Sequence, residues 1–588
     1  MTRLPPTDVV IVGLGWTGSI QALELARMGL RVVAIERGPW RDTPTDFPTT
    51  TAPDELRYAI RHDLFVRPAQ ETVTFRNNVN QTALPIRRWG SFLPGNGVGG
   101  AGVHWNGHTW RWHPWDFEAR SKTIERYGEA AIPPDCTLQD WGVTYDELES
   151  GFDRFEYVCG ISGKAGNLKG EIIPGGNPFE GPRQREFPTP PMEMTLAPKM
   201  FAKAATELGW HPFPQPSANL SQAFTNPYGC KLAPCTYCGF CERFGCGNYS
   251  KSSPQTCVLP ALVREPGFEA RTECQVTRVN LSRDGKRATG VTYVDTQGKE
   301  WEQPADLVLL CAYQLFNVRL MLLSGIGAPY DPATGKGVVG RNYAYQIGGG
   351  ATGFFEGSPN FNPFVGAGSV GMVADDFNAD NFDHQGVGFI GGASLNCITS
   401  NGRPITNRPT PPGTPRWGAK WKQATRDTYN RVASCGLQGS VMPYRGAYLD
   451  LDPTYRDPLG LPLLRMTFDF QDNERKMRTF MVDKCMQAMR AMGAAQVRRN
   501  ELSGPYTVVP YQSTHNTGGT VMGADPTTSV VNRYCQSWDV PNVFVAGAGL
   551  FPFNTGFNPT GPVGALAYWA IDAIRERYLK NPGPLVQA

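Results

Sequence analysis

The 588 residues are too many for one simple core, so two joined domains are expected. Their 56 basic and 53 acidic side chains leave a net charge of +3 with no long basic run, which removes the electrostatic case for nucleic acid. With 66 glycines, 50 prolines and 40% hydrophobic residues, the composition argues for a loop-rich globular protein and against a helical bundle or a disordered chain.

The chain opens MTRLPPTDVV and enters a strand almost at once, with neither an apolar signal-peptide core nor a twin-arginine leader. Val9 to Val12 reads as a buried parallel strand. Gly13, Gly15 and Gly18 follow in G-x-G-x-x-G spacing, then a helical segment Ser19 to Met28 and a second strand, Arg31 to Ile35, that ends on Glu36. This is a βαβ unit built for a dinucleotide. The glycines permit the turn, the approach of backbone to pyrophosphate and the packing of helix on strand, and the acid suits a ribose hydroxyl pair. The helix start offers free N–H groups to phosphate. The loop alone does not choose between NAD and FAD.

Residues 39 to 85 read as a connection lying over the first domain, with an amphipathic helix near Asp54 to Leu64. Five glycines between Gly95 and Gly102 then allow close backbone approach to a flat ligand, and His104, Trp105, His108, Trp110, Trp112 and His113 crowd in behind them. Helices are expected at Asp116 to Tyr127 and Thr144 to Val158, and a hairpin at Cys274 to Val294. A buried strand from Asp306 to Cys311 and a helix from Ala312 to Ser324 follow. Gln314, Asn317 and Arg319 interrupt the most apolar stretch, Ala305 to Gly327, so no membrane span is expected. From about Val338 to Leu502 the texture changes, with a Pro-dense loop from Arg403 to Trp417 and a long helix from Asn473 to Met492. The dinucleotide pattern returns with a strand at Asn542 to Ala546, a turn at Gly547, Ala548 and Gly549, and a final helix from Gly561 to Tyr578.

Of fourteen cysteines, five fall within 17 residues. Cys235, Cys238, Cys241 and Cys246 form C-x2-C-x2-C-x4-C, a compact spacing closer to ferredoxin loops than to the separated knuckles of zinc ribbons. An iron-sulfur cluster is therefore favoured over zinc or free thiols.

Taken in order, DVVIVGLGWTGS with ERG, NGVGGAGVHWNG, VLLCAYQLFNVRLMLLSGIG, STHNTGGTVMG and NVFVAGAGLFPFNTGFNPTGPVGALAYWA resemble the glucose-methanol-choline (GMC) oxidoreductase family nearly end to end. The resemblance implies FAD, an α/β fold and oxidation of an alcohol. A Rossmann-like FAD-binding domain would be assembled from residues 1–337 and 503–588, with a cysteine-rich insertion at about 230–257. An α+β substrate-binding domain with an antiparallel sheet would occupy 338–502. Gly13, Gly15, Gly18 and Glu36 match the ADP-binding portion. Gly97, Gly99, Gly100 and Gly102, with His104, Trp105 and Asn106, match the loop beside the flavin, and Gly547, Ala548, Pro559 and Thr560 complete the cofactor set. His104-Trp105 is similar to the pair of pyranose oxidases whose histidine is bonded covalently to flavin, although Gly102-Val103 departs from the Ser-Thr found there.

His515 matches the family's catalytic histidine and Asn558 its usual partner. A neutral imidazole near pH 7 suits removal of a hydroxyl proton while hydride leaves the carbon, and an amide can hold the same hydroxyl as donor or acceptor.

Within the family, the PCTYCGFCERFGCGNYSKSSP block and the NPGPLVQA end are similar to large subunits of sugar-acid and polyol dehydrogenases. That likeness implies a 3Fe-4S or 4Fe-4S cluster, with Cys230 and Cys257 as alternate ligands should one of the four not bind, a small subunit carrying an export signal and a multihaem cytochrome c subunit. It places the enzyme at the periplasmic face of the inner membrane, with the cytoplasm as the alternative. A sugar acid such as gluconate ranks first as substrate. A glycoside 3-dehydrogenase, a sugar oxidase of the same family, and a non-catalytic flavin or zinc scaffold are the rival readings.

Overall fold

The computed structural model describes residues 1–47, 63–89, 91–363, 365–399, 409–509 and 513–585. The amphipathic helix expected near 54–64 falls almost wholly outside them.

The strand Thr7–Val12 lies between Val32–Ile35 and Glu300–Leu310, all parallel, and Phe268–Arg271 extends the sheet beyond Val32–Ile35. Val9, Val10 and Ile11 are completely or almost completely buried, as a strand covered on both faces requires. Glu300–Leu310 is longer than expected and does two jobs. Its first half pairs antiparallel with Ala288–Val294, the strand that forms a hairpin with Gln275–Leu281, and its second half pairs parallel with Thr7–Val12 and with Val543–Val545 near the C-terminus. Leu310 thereby stands beside both Val12 and Val545, which brings the first and last glycine turns to one sheet edge.

The glycine turn explains where the first helix begins. Gly13 has φ of +92°, and a methyl there would come 2.6 Å from the Cys311 carbonyl oxygen. The helix Trp16–Arg27 starts immediately after Gly15, earlier than expected, with no side-chain cap on its first N–H groups. Ten of its twelve residues are buried, because Thr560–Ala573 packs over its outer face. That C-terminal helix continues through a π turn to Tyr578. The helix expected at 116–127 is two pieces, Pro114–Phe117 and Ala119–Tyr127, broken at Glu118. Tyr145–Cys159 is intact, between a Thr144/Glu147 capping box and Gly160 in the left-handed region.

A six-stranded antiparallel sheet runs Gln496–Arg499, Ile347–Phe354, Val432–Gly439, Ala393–Ile398, Gly371–Ala374 and Phe213–Pro214, with the helix Asp472–Ala491 packed on it. Strand pairing crosses sequence position 337, and Ala344–Tyr345 pairs with Asn516–Thr517 across position 503. Phe213–Pro214 joins this sheet from upstream, while Pro462–Thr467 pairs parallel with Val73–Arg76. The fold is thus a parallel dinucleotide-type sheet joined to an antiparallel sheet. Among the described residues no helix is long and apolar enough to cross a membrane.

Candidate active site

One cavity of about 440 Å³ joins the two glycine turns to His515 and Asn558. At one end it is lined by Gly13, Gly15, Glu36, Gly100 and Gly102, and along its length by His104, Trp105 and Asn106. At the other end stand His515, Gly547, Ala548, Asn558, Pro559 and Thr560, with Gln438 and Ile398 contributed by the antiparallel sheet. Gly18, Gly97 and Gly99 do not line it. Gly18 packs the helix onto the turn, where a methyl would meet the Gly13 carbonyl oxygen, and Gly99, with φ of +94°, is pressed against the Gln255 side chain.

Three features fit a dinucleotide here. The uncapped start of Trp16–Arg27 presents N–H groups beside the cavity. The Trp16 Nε1, His104 Nε2 and Gln314 Oε1 atoms are buried on cavity-lining residues without a hydrogen-bond partner, a rare state that calls for a bound polar group. Glu36 lines the cavity, though not as a free carboxylate. Its two oxygens already accept the Leu14 and Gly38 N–H groups at 2.9 Å each, and the lone pairs that remain are what a ribose would use. Sequence reasoning missed Arg37 beside it. The Arg37 guanidinium lies 4.4 Å from the Phe316 ring centre and pairs with Glu71, which also takes Arg319 at 2.7 Å; burial lowers Arg37 to about 10.

At the far end the hydrogen-bond polarity can be read residue by residue. The Trp110 indole only donates, and its Nε1 lies 2.9 Å from Asn558 Oδ1. The Asn558 amide therefore turns Nδ2 toward His515 Nε2, at 3.1 Å. His515 Nε2 must accept that bond, so its lone pair faces the cavity end and its ring proton sits on Nδ1, which donates to Gln346 Oε1 at 2.6 Å. The Asn554 amide holds the His515 carbonyl at 2.7 Å. Desolvation, with a smaller contribution from neighbouring His108, pushes His515 down to about 3, so the imidazole is neutral through the physiological range. His104 is likewise held neutral, at about 3, by burial and by the charge of Lys251. His108, from the cluster behind the glycine loop, is buried and bonded to Asn106 and Gln215.

The structure brings Cys235, Cys238, Cys241 and Cys246 close enough to act on one another electrostatically. Three of their sulfurs receive N–H donors, from Tyr237 and Lys251 main chain at 3.4 Å and from the Asn219 amide at 3.6 Å. Among the described residues, however, no three His, Cys, Asp or Glu side chains converge as metal ligands, so the group is assembled without being a formed metal site. Cys230 and Cys257, expected as alternates, pack instead with Cys159 in the core around the first helix. Lys251, which sequence reasoning passed over, is fully buried. Its ammonium donates to the carbonyls of Trp105 at 2.6 Å, Phe244 at 2.7 Å and Cys241 at 2.8 Å, and Arg243 N–H adds a bond to the His104 carbonyl at 2.8 Å. The cysteine loop is thereby strapped to the loop that lines the cavity.

A glycine-turn parallel sheet whose cavity ends on a neutral histidine and an oriented amide is the arrangement of a dinucleotide-binding enzyme with a proton acceptor at the far end of its cavity. Family comparison sharpens this. Models described as GMC oxidoreductase match residues 189–347 and 443–567. The chain is 51% identical to the gluconate 2-dehydrogenase flavoprotein of Pantoea cypripedii, covering 100% of this chain and 96% of that protein. It is 27% identical to the 2-methyl-1,2-propanediol dehydrogenase of Mycolicibacterium austroafricanum, covering 98% and 96%. Among solved structures, pyridoxine 4-oxidase from Mesorbium loti superposes with a TM-score of 0.59 at 18% identity over 97% of this chain and 99% of the other, a likeness of fold. The chain belongs to the GMC oxidoreductase family and is an FAD-dependent oxidoreductase acting on CH–OH donors.

Proposed function

We propose that this chain is the flavoprotein of a dehydrogenase that oxidises a hydroxyl-bearing carbon of a sugar acid, with gluconate favoured, and that His515 is the base. The observation that carries the chemistry is the hydrogen-bond polarity running from Trp110 through Asn558 to His515, which leaves a lone pair on Nε2. The substrate class rests on the 51% identity to a gluconate 2-dehydrogenase flavoprotein.

FAD, when bound, supplies the hydride acceptor; the glycine turns, Glu36 and the His104 loop would hold it. The protein's own part is the proton. A substrate hydroxyl entering between Asn558 and His515 accepts from Nδ2 and donates to Nε2. As the carbon–hydrogen bond breaks and the carbonyl forms, the hydroxyl proton passes to Nε2. Imidazolium then remains bonded through Nδ1 to Gln346. A resting value of about 3 makes His515 a weak base toward water. Negative charge developing on the substrate oxygen strengthens it at the moment of transfer. His104 is the residue through which covalent attachment of flavin would run.

In this reading the four cysteines hold an iron-sulfur cluster, 3Fe-4S or 4Fe-4S, that would pass single electrons outward. Their spacing, their proximity and the N–H donors to their sulfurs support it. A small export-signal subunit and a multihaem cytochrome c at the periplasmic membrane face would complete the assembly; a cytoplasmic enzyme is the alternative.

Anaerobic mixing of the purified flavoprotein with D-gluconate tests the base. Flavin bleaching should slow by roughly 10² to 10⁴ in His515→Ala, and full-rate bleaching there would remove His515 from the mechanism. Iron and acid-labile sulfide should accompany flavin; iron-free, fully active protein would end the cluster reading. Fast peroxide release in air would replace the dehydrogenase by a sugar oxidase.

A further inference from the structure

Gln346 is buried, 1% exposed, in the link between Ala344–Tyr345 and Ile347–Phe354. No sequence motif marks it. Its Nε2 donates to the Thr555 carbonyl at 2.9 Å and to the Phe557 carbonyl at 3.0 Å. Those partners accept only, so the amide cannot turn, and Oε1 is left facing His515 Nδ1 at 2.6 Å. The Gln346 main-chain N–H also reaches the His515 carbonyl at 3.3 Å. One side chain therefore touches the imidazole and also the Thr555 and Phe557 carbonyls of the loop that leads into Asn558.

Building on the assignment of His515 as base, we propose that Gln346 is the positioning residue of this active site: it selects the Nδ1–H tautomer of His515 and, through Thr555 and Phe557, sets the loop that carries Asn558. The imidazole is then held between two oriented amides, Gln346 on Nδ1 and Asn558 on Nε2, each fixed in its turn by groups of a single polarity. Without the Gln346 acceptor an Nδ1 proton would be a buried donor with no partner, so the ring proton shifts toward Nε2 and the major form offers the substrate an N–H where a lone pair is needed. The titratable group bearing on His515 is His108, on which Glu242 bears in turn; among the described residues no carboxylate acts on His515 directly.

The test uses FAD-loaded protein labelled with 15N-histidine, in wild type, Gln346→Leu, Gln346→Glu and His515→Ala. With seven histidines in the chain, the resonances missing in His515→Ala assign that ring. Wild type should carry the proton on Nδ1. Gln346→Leu, lacking an acceptor, should lose that single tautomer, and its kcat with D-gluconate should fall by about 10² with KM changed far less. Gln346→Glu keeps an acceptor at Nδ1 while turning a second oxygen on the Thr555 and Phe557 carbonyls. It should hold the proton on Nδ1, become imidazolium at higher pH than wild type, and recover activity as pH rises. Flavin content and melting temperature establish that each variant is folded; if Gln346→Leu fails to load FAD, the Gln346→Glu profile decides. A Gln346→Leu protein with an unchanged tautomer and kcat within about threefold of wild type overturns the proposal, as does a Gln346→Glu profile that coincides with wild type. Should His515→Ala keep full flavin reduction, the assignment of the base fails separately, and the tautomer measurement still judges Gln346.

Discussion

Replacing Asn558 by Asp changes a single atom's chemistry at the point where the site is most constrained. Asn558 is 7% exposed, and its Oδ1 already accepts from Trp110, so an aspartate can keep that bond. Its second oxygen would then lie where Nδ2 now stands, 3.1 Å from His515 Nε2. A unit charge at that distance, with an effective dielectric of about 20, favours the imidazolium by roughly 5 kcal/mol, or about four pKa units. His515 would move from about 3 to about 7. The sign is fixed by geometry: the wild-type ring faces an N–H that opposes protonation, whereas the variant faces a carboxylate that demands it. The assay is the anaerobic rate of flavin reduction by saturating D-gluconate between pH 5 and pH 9. Wild type should show no histidine limb in this range. Asn558→Asp should lose close to tenfold per pH unit below about 7, and should plateau at alkaline pH below wild type because the donor to the substrate oxygen is gone. An acid limb in the variant that stays below about pH 5 would refute the polarity deduced for this pair.

Two further outcomes follow from the scaffold. Lys251→Met removes the donor to three buried carbonyls at once, at 2.6 to 2.8 Å; a loss of about 3–5 kcal/mol is expected. Melting temperature should drop and buried Cys241 should become reactive to a thiol probe, while an unchanged melting curve would show that the strap is dispensable. Gly13→Ala forces a methyl to 2.6 Å from the Cys311 carbonyl at a φ of +92°. It should reduce FAD retention at least tenfold, measured as flavin per protein after dialysis; full retention would mean the turn can shift.

The parts of this protein legible in sequence are those built from short-range contacts. The β-branched run, the spacing of Gly13, Gly15 and Gly18, and Glu36 all act within some thirty residues, so their pattern is written on one stretch. The capping box at Thr144 and the left-handed Gly160 bound their helix for the same reason. The helix expected at 116–127 was misjudged because Pro114 starts one turn and Glu118 breaks the next, a change of direction that periodicity does not register. His515 and Asn558 stood out through family likeness, since a histidine between Thr514 and Asn516 has no local signature of catalysis.

What surrounds those two residues was decided by tertiary structure alone. Trp110 meets Asn558 across 448 positions and Gln346 meets His515 across 169. Lys251 reads as an ordinary lysine until its burial among three carbonyls is seen. The pairing of Glu300–Leu310 with strands from both ends of the chain brings the two glycine turns together, and no stretch of sequence states that adjacency. The sequence by itself determined the dinucleotide turn and the kinds of residue available for chemistry, because backbone geometry and side-chain type are local properties. Which nitrogen of His515 carries its proton, and how closely the cysteine loop is tied to the cavity, depend on donors and acceptors delivered from distant segments, and only the folded chain supplies them.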